Sequence, residues 1–284
     1  MNPRTILSIL IIALLVIPMA GCGKKVVNLE YRLPKDDLSK YKISTSSTIN
    51  TTASDGKNST MKTTTDAEIS QKVKDVSKTG DLVLDVTYNN VKITLERDGK
   101  TQTMPTGALD GKTVNMKMSK KGKLLEVEGE EIDSGGGMKQ LSQMNAVFPD
   151  KPVKIGDTWE NTDTSDIPLG APELKMVQKV TSKYTFQSIE KMNNIECAKV
   201  TVAATLNQEV QKGKDVDKLP VKIDGKGEGK VDGTFYFGIT KGKVVKAEMI
   251  MDMDNTMNIQ QKAKKASTST KVKMNMSMEL INAN

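Results

Sequence analysis

The sequence predicts an all-β protein, mainly antiparallel, built as two similar curved sheets or half-barrels with one short linking helix. Three observations point to this class. Apolar and polar residues alternate with period two over long stretches, as in 82–88 and 245–253. Glycine and asparagine punctuate those stretches at Gly80, Asn89-Asn90, Asp98-Gly99, Gly122 and Asn193-Asn194. Hydrophobic residues make up 37% and aromatics 4% of the 284 residues, a lean supply that suits a core spread thinly along sheets.

The chain opens with Arg4, an almost unbroken apolar run over 6–19, and then Ala20, Gly21 and Cys22. A basic start, an apolar run of this length and small residues before a cleavage point are the parts of an export signal. The run is shorter than the roughly 20 apolar residues of a spanning helix. Met19-Ala20-Gly21-Cys22 resembles the bacterial lipobox, with Met where Leu is usual. That resemblance implies cleavage after residue 21 and a diacylglyceryl thioether on Cys22, with palmitate-like chains anchoring the mature protein in a bacterial membrane, either a cell membrane or an outer membrane. Each buried methylene adds about 0.8 kcal/mol, so two or three acyl chains hold firmly.

The implied organisation is a signal peptide over 1–21, an anchor and tether over 22–30, an N-terminal β half over 31–130, a helix and joint over 131–160, and a C-terminal β half over 161–284. In the first half, 41–65 reads as two strands around a turn at 54–58, and 68–98 as a hairpin followed by a further turn at Asn89-Asn90. Residues 114–127 form another hairpin around Gly122. Met138, Leu141, Met144 and Val147, three apart, predict about three turns of helix, ended by Pro149. In the second half, 180–206 reads as a hairpin, 212–224 as a loop, 235–253 as a hairpin around Lys241-Gly242-Lys243, 261–269 as a turn and 274–280 as the last strand. The hairpin at 114–129 echoes that at 235–249, and the one at 73–86 echoes that at 189–202, which predicts an internal duplication.

Between the halves lies FPDKPVKIGDTWE, residues 148–160, with the one tryptophan, Trp159. Phe148, Pro149, Pro152, Val153, Gly156, Asp157 and Trp159 form an FPxxPVxxGDxW pattern. It resembles the signature of a family of bacterial secreted lipoproteins of unknown function. The resemblance implies coverage from residue 28 to the end and brings no activity with it. Two curved sheets with one helix also resemble, in architecture alone, the half-open barrels of bacterial lipoprotein and glycolipid carriers.

The formal charge is +7, or +6 without the first 21 residues. Outside the cytoplasm that balance implies solubility and contact with anionic headgroups rather than nucleic acid. There is no histidine, which removes the usual general base and the commonest catalytic zinc ligand. No disulfide is expected, because Cys197 has no partner once Cys22 is acylated; it reads as a structural thiol.

Fifteen of the 17 methionines follow the signal. Where they alternate, at 249–253 and 274–278, they read as the packed face of a sheet. A Cu(I) thioether site and an acyl-binding groove are the functional readings. Asp252, Asp254 and Asn255 lack the glycine and glutamate of a calcium loop, and the alternating aspartates read as the exposed side of a strand. Glu128, Glu130 and Glu131 read as a strand end, and Lys262, Lys264 and Lys265 as a solvated turn. Trp159 is either a ligand-stacking ring or an anchor at the end of the core. The expected function is non-enzymatic binding of a hydrophobic ligand or envelope component, with no catalytic residues, no metal and no cofactor. The candidate groove or core residues are Trp159, Phe235, Phe237, Met249, Met251, Met274 and Met276. The alternative is a structural or interaction lipoprotein with no small ligand. The expected partners are the membrane, through lipidated Cys22, and a lipid or envelope protein, with no nucleic acid.

Overall fold

The computed structural model describes residues 25–107, 109–128, 145–171, 174–213, 221–261 and 264–282. Twelve strands run through them: β1 Leu38–Ala53, β2 Asn58–Val76, β3 Leu82–Arg97, β4 Lys100–Met104, β5 Thr113–Met118, β6 Leu124–Glu128, β7 Thr158–Ala171, β8 Leu174–Met192, β9 Ile195–Lys212, β10 Val221–Gly238, β11 Lys243–Gln261 and β12 Lys264–Asn282. All pairings are antiparallel, as the alternation requires.

The strands form one sheet, not two. Its order is β6-β5-β3-β2-β1-β12-β11-β10-β9-β8-β7, with β4 paired to β3. The join is the pairing of β1 with β12, from Lys40 opposite Asn282 to Ala53 opposite Thr268. Each half on its own would leave a long edge of unpaired amides and carbonyls, and joining the halves removes both edges. The hairpins that echo each other in sequence occupy equivalent places in this order. The meander β1-β2-β3-β5-β6 corresponds strand by strand to β7-β8-β9-β10-β11, and β12 is the additional strand between them.

Several local expectations are corrected. The linking helix expected at 138–147 lies mostly outside the described residues, and 145–147 are not helical; among the described residues there is no helix. Asn89-Asn90 is no turn, because β3 runs straight through it. Asn90 takes a φ of 52° opposite a register shift between Asp66 and Glu68, so the residue that tolerates left-handed backbone forms a bulge instead. The end of the loop expected at 212–224 is strand, since β10 starts at Val221. Similarly, β11 and β12 extend to Gln261 and from Lys264, shortening the turn expected at 261–269. The extended segment before β1 makes one isolated bridge, Val27 with Val153, and reaches β2 through hydrogen bonds of Asp36 and Asp37 with Val73.

One end of the sheet is filled by the chain segments that flank the strands. Tyr31, Phe148 and Phe237 form a three-ring cluster with centroids 4.5–5.6 Å apart. The Tyr31 amide donates to Lys120 O, and the Arg32 amide to Gly242 O. These acceptors lie on the β5–β6 and β10–β11 turns, the two hairpins that echo each other in sequence. Both turns need a left-handed glycine, Gly122 at 88° and Gly242 at 62°. A Cβ at Gly122 would stand 2.7 Å from the Tyr31 ring and 2.2 Å from Ala146 O. The two halves thus grip adjacent residues of one segment.

The 148–160 stretch is a joint in the literal sense. It starts beside the β5–β6 turn, where the Phe148 amide donates to Lys121 O, and ends as the first residues of β7 at the opposite edge of the sheet. Gly156 and Asp157 make the expected turn, with Gly156 at a φ of 95° and the Lys154 amide donating to Asp157 Oδ2 at 3.0 Å.

Candidate functional site

Strand register decides which side chains share a face, since partners directly opposite point the same way. Met249 is opposite Met276, and Met251 opposite Met274. Toward the other edge, Met249 faces Gly233 and Met251 faces Val231 on β10. The rows continue through Val202 and Ala204 on β9 to Tyr184 and Ser182 on β8. These side chains line a cavity of about 270 Å3. The sheet curls enough that residues near both of its free edges reach the same cavity, Lys123 and Leu124 at β6 and Asp163 on β7.

Of the residues singled out from sequence, Phe235, Met249, Met251, Met274 and Met276 line this cavity. Trp159 and Phe237 do not. Phe237 is 1% exposed and belongs to the aromatic cluster at the filled end. Trp159 stands one layer away. Its ring stacks on Tyr184 with centroids 5.6 Å apart and planes 9° off parallel, and its indole N–H donates to Val147 O at 2.7 Å. Tyr184 is the side chain that presents to the cavity, and burial raises its phenol pKa, so it stays neutral.

Sequence reading missed the surface on which the methionines lie. Gly225, Gly227, Gly229 and Gly233 occupy inward positions of β10. A Cβ at Gly225 would stand 2.9 Å from Met257 Sδ, at Gly229 3.2 Å from Met253 Cβ, and at Gly233 2.7 Å from Met249 Cγ. Bare backbone on β10 therefore receives side chains of β11, and leaves room above them. The signal was present as alternate glycines over 225–229 with Gly233 beyond.

The cavity wall is mainly apolar, with Thr164, Ser165, Gln178 and Ser182 among its polar members. Its charged members, Lys123 and Asp163, are exposed and stand near the sheet edges. The other charges of this region point outward: Asp252 pairs with Lys273 and Asp254 with Lys271, so these aspartates are an exposed strand face, as expected. Glu128 is exposed at the end of β6, and Lys264 and Lys265 are exposed at the start of β12. Cys22, Glu130, Glu131 and Lys262 lie outside the described residues. Cys197 is fully buried, and burial pushes its thiol up to about 11, which keeps it protonated and inert. Lys243, read from sequence as part of the Lys241-Gly242-Lys243 turn, is the first residue of β11 and is buried: its ammonium donates to both Asp37 oxygens at 2.9 Å and to Ser39 Oγ at 2.7 Å.

Residues 137–244 match DUF6263, a family of unknown function. The span contains the whole FPxxPVxxGDxW stretch but is less than half of the chain, and narrower than the expected coverage from residue 28 onward. No curated protein matches. Among solved structures, OpdK of Pseudomonas aeruginosa with vanillate is 6% identical, with a TM-score of 0.22 over 84% of this chain and 98% of its own. OpdQ of the same organism is 8% identical, with a TM-score of 0.24 over 87% of this chain and 100% of its own. Likeness at these TM-scores carries no argument about function.

Proposed function

We propose that this protein is an extracytoplasmic lipoprotein, anchored to a bacterial membrane through Cys22, that binds an acyl chain in the methionine-lined cavity and performs no chemistry on it. The observation that carries this reading is the cavity itself: an apolar wall supplied by five strands, β8 to β12, on a sheet whose free edges do not meet. A site of this size lined mainly by hydrophobic side chains is suited to an apolar ligand. Methionine adds a surface that repacks around chains of different shape. The anchoring rests on the 1–22 sequence. Four thioethers in two facing pairs would also suit Cu(I), but the surrounding apolar wall favours a chain.

The test is native mass spectrometry of the exported protein purified from a membrane-containing host, with extraction and identification of what it carries. Co-purified acyl lipid is expected. Protein that is empty, and that takes up no pyrene or lipid when offered them, ends this reading. The second reading, an interaction lipoprotein, is favoured by one observation: Leu125 and Val127 on edge strand β6 are 47% and 48% exposed. An open apolar edge of this kind can add a partner's strand.

A further inference from the structure

We infer that the ligand is a neutral amphiphile of the acylglycerol class, whose ester or hydroxyl group is held by a row of uncharged amides beyond the methionines. The inference rests on the acyl-binding reading and specifies the polar end of that ligand.

The row is given by register. Gln178 on β8 faces Gln208 on β9, which faces Gly227 on β10, which faces Asn255 on β11, which faces Thr270 on β12. Asn255 is four residues along β11 from Met251, so it has the same inward phase and lies about 13 Å further along the strand. The chain end of an amphiphile in the cavity would thus leave its head at this row.

Two side-chain amides converge there on one bare backbone position. A Cβ at Gly227 would stand 1.9 Å from Asn255 Oδ1 and 3.0 Å from Gln208 Oε1. Gln208 is oriented, because its Nε2 donates to Gln178 Oε1 at 2.7 Å. Asn255 Oδ1 is buried and has no hydrogen-bond partner. Buried polar atoms are nearly always paired, and one left over in an apolar groove invites a donor. The asparagine χ2 is a broad, soft torsion, so a ligand group arriving in the row can draw this amide into a hydrogen bond.

The row also selects against charge. None of its inward members is ionisable, and the nearby Asp254 and Lys271 face outward and pair with each other. A carboxylate or phosphate placed here would be desolvated without a cation. An ester carbonyl or a hydroxyl would be satisfied by the amides.

The experiment uses the exported chain carrying Cys22→Ser, which alters none of the described residues. Binding of monopalmitoylglycerol, of palmitate above the pKa of its carboxyl, and of pyrene is measured by fluorescence and calorimetry. The glyceride is expected to bind about tenfold tighter than palmitate, the worth of one or two hydrogen bonds. Asn255→Leu and Gln208→Leu are expected to abolish that preference, with thermal unfolding reporting that each variant is folded. Palmitate binding as tightly as the glyceride, or a preference that survives both substitutions, overturns the inference while pyrene binding leaves the acyl-site reading standing. A wild-type chain that binds none of the three overturns both.

Discussion

Met249 of β11 lies across the bare backbone of Gly233 on β10, with Cγ 2.7 Å from where a glycine-to-alanine change would put a methyl group. The same relation recurs at Met253 over Gly229 and Met257 over Gly225. The cavity owes part of its room to this arrangement, because β10 presents no side chain at Gly233, between Val231 and Phe235.

Gly233→Val should therefore fill the cavity from below. The methyl groups push Met249 inward and also meet Glu248 O, 2.9 Å from the added Cβ. Overpacking of this kind costs about 1–3 kcal/mol. Urea unfolding should show that loss, and titration with pyrene should show a marked drop in capacity. Undiminished pyrene binding by the variant would place the ligand elsewhere.

Trp159→Ala should cost about 2–3 kcal/mol, below the 3–5 kcal/mol of a fully buried aromatic. The ring is half-buried, and what is lost is the stack on Tyr184 and the partner of Val147 O. Trp159→Phe keeps the stack and should cost about 1 kcal/mol, the net worth of the hydrogen bond. Denaturant midpoints of the two variants separate these contributions. Equal losses in both would mean the stack contributes nothing.

Lys243→Ala should be among the most damaging single changes, costing about 3–5 kcal/mol, because it strands Asp37 beside Ser39. The lysine side chain is 4% exposed and the aspartate 15%, so water does not easily replace the lost partner. Replacing Asp37 by Ala as well should recover part of the loss. A double variant no more stable than Lys243→Ala would show that packing of the lysine stem dominates.

Stability should be flat through neutral pH and fall in alkali. Burial raises the phenol pKa of Tyr31, Tyr41 and Tyr184, takes Tyr88 to about 12, and takes the Cys197 thiol to about 11. Unfolded, these groups titrate near 10 for tyrosine and about 8.5 for cysteine. As pH rises through that window the unfolded chain sheds protons that the folded chain keeps, so stability decreases with pH. The fall should begin near pH 8.5 with Cys197 and steepen above about 10 with the tyrosines. Thermal melts between neutrality and alkaline pH, read together with the tyrosinate absorbance, check this. Tyrosines that ionise near 10 before unfolding would contradict the burial.

The strands and most turns were legible because their causes are local. Alternation sets a strand's two faces, and Gly80, Gly99, Gly122 and Asn193 adopt the positive φ their turns need. The methionines could be assigned to one face on the same grounds. That Phe235 and four of them meet at a cavity does not follow from alternation, which is silent on which strands are neighbours. The glycines of β10 were overlooked because residues without side chains leave no hydrophobic pattern. The burial of Lys243 was not legible for the reverse reason: in sequence it resembles any turn lysine, and only Asp37, far away in the chain, makes its burial tolerable.

The sequence by itself determined the all-β, antiparallel class, because alternation and turn residues act locally along each strand. Tertiary structure alone decided that the halves make one sheet. The decisive contact, β1 with β12, joins the first strand to the last. Such pairing is chosen by the edges left open once every local hairpin has formed, and no stretch of sequence records it. The same pairing sets Ser47 opposite Met274 and Thr45 opposite Met276, so the methionine cavity lies beside the seam that closes the two halves into one molecule.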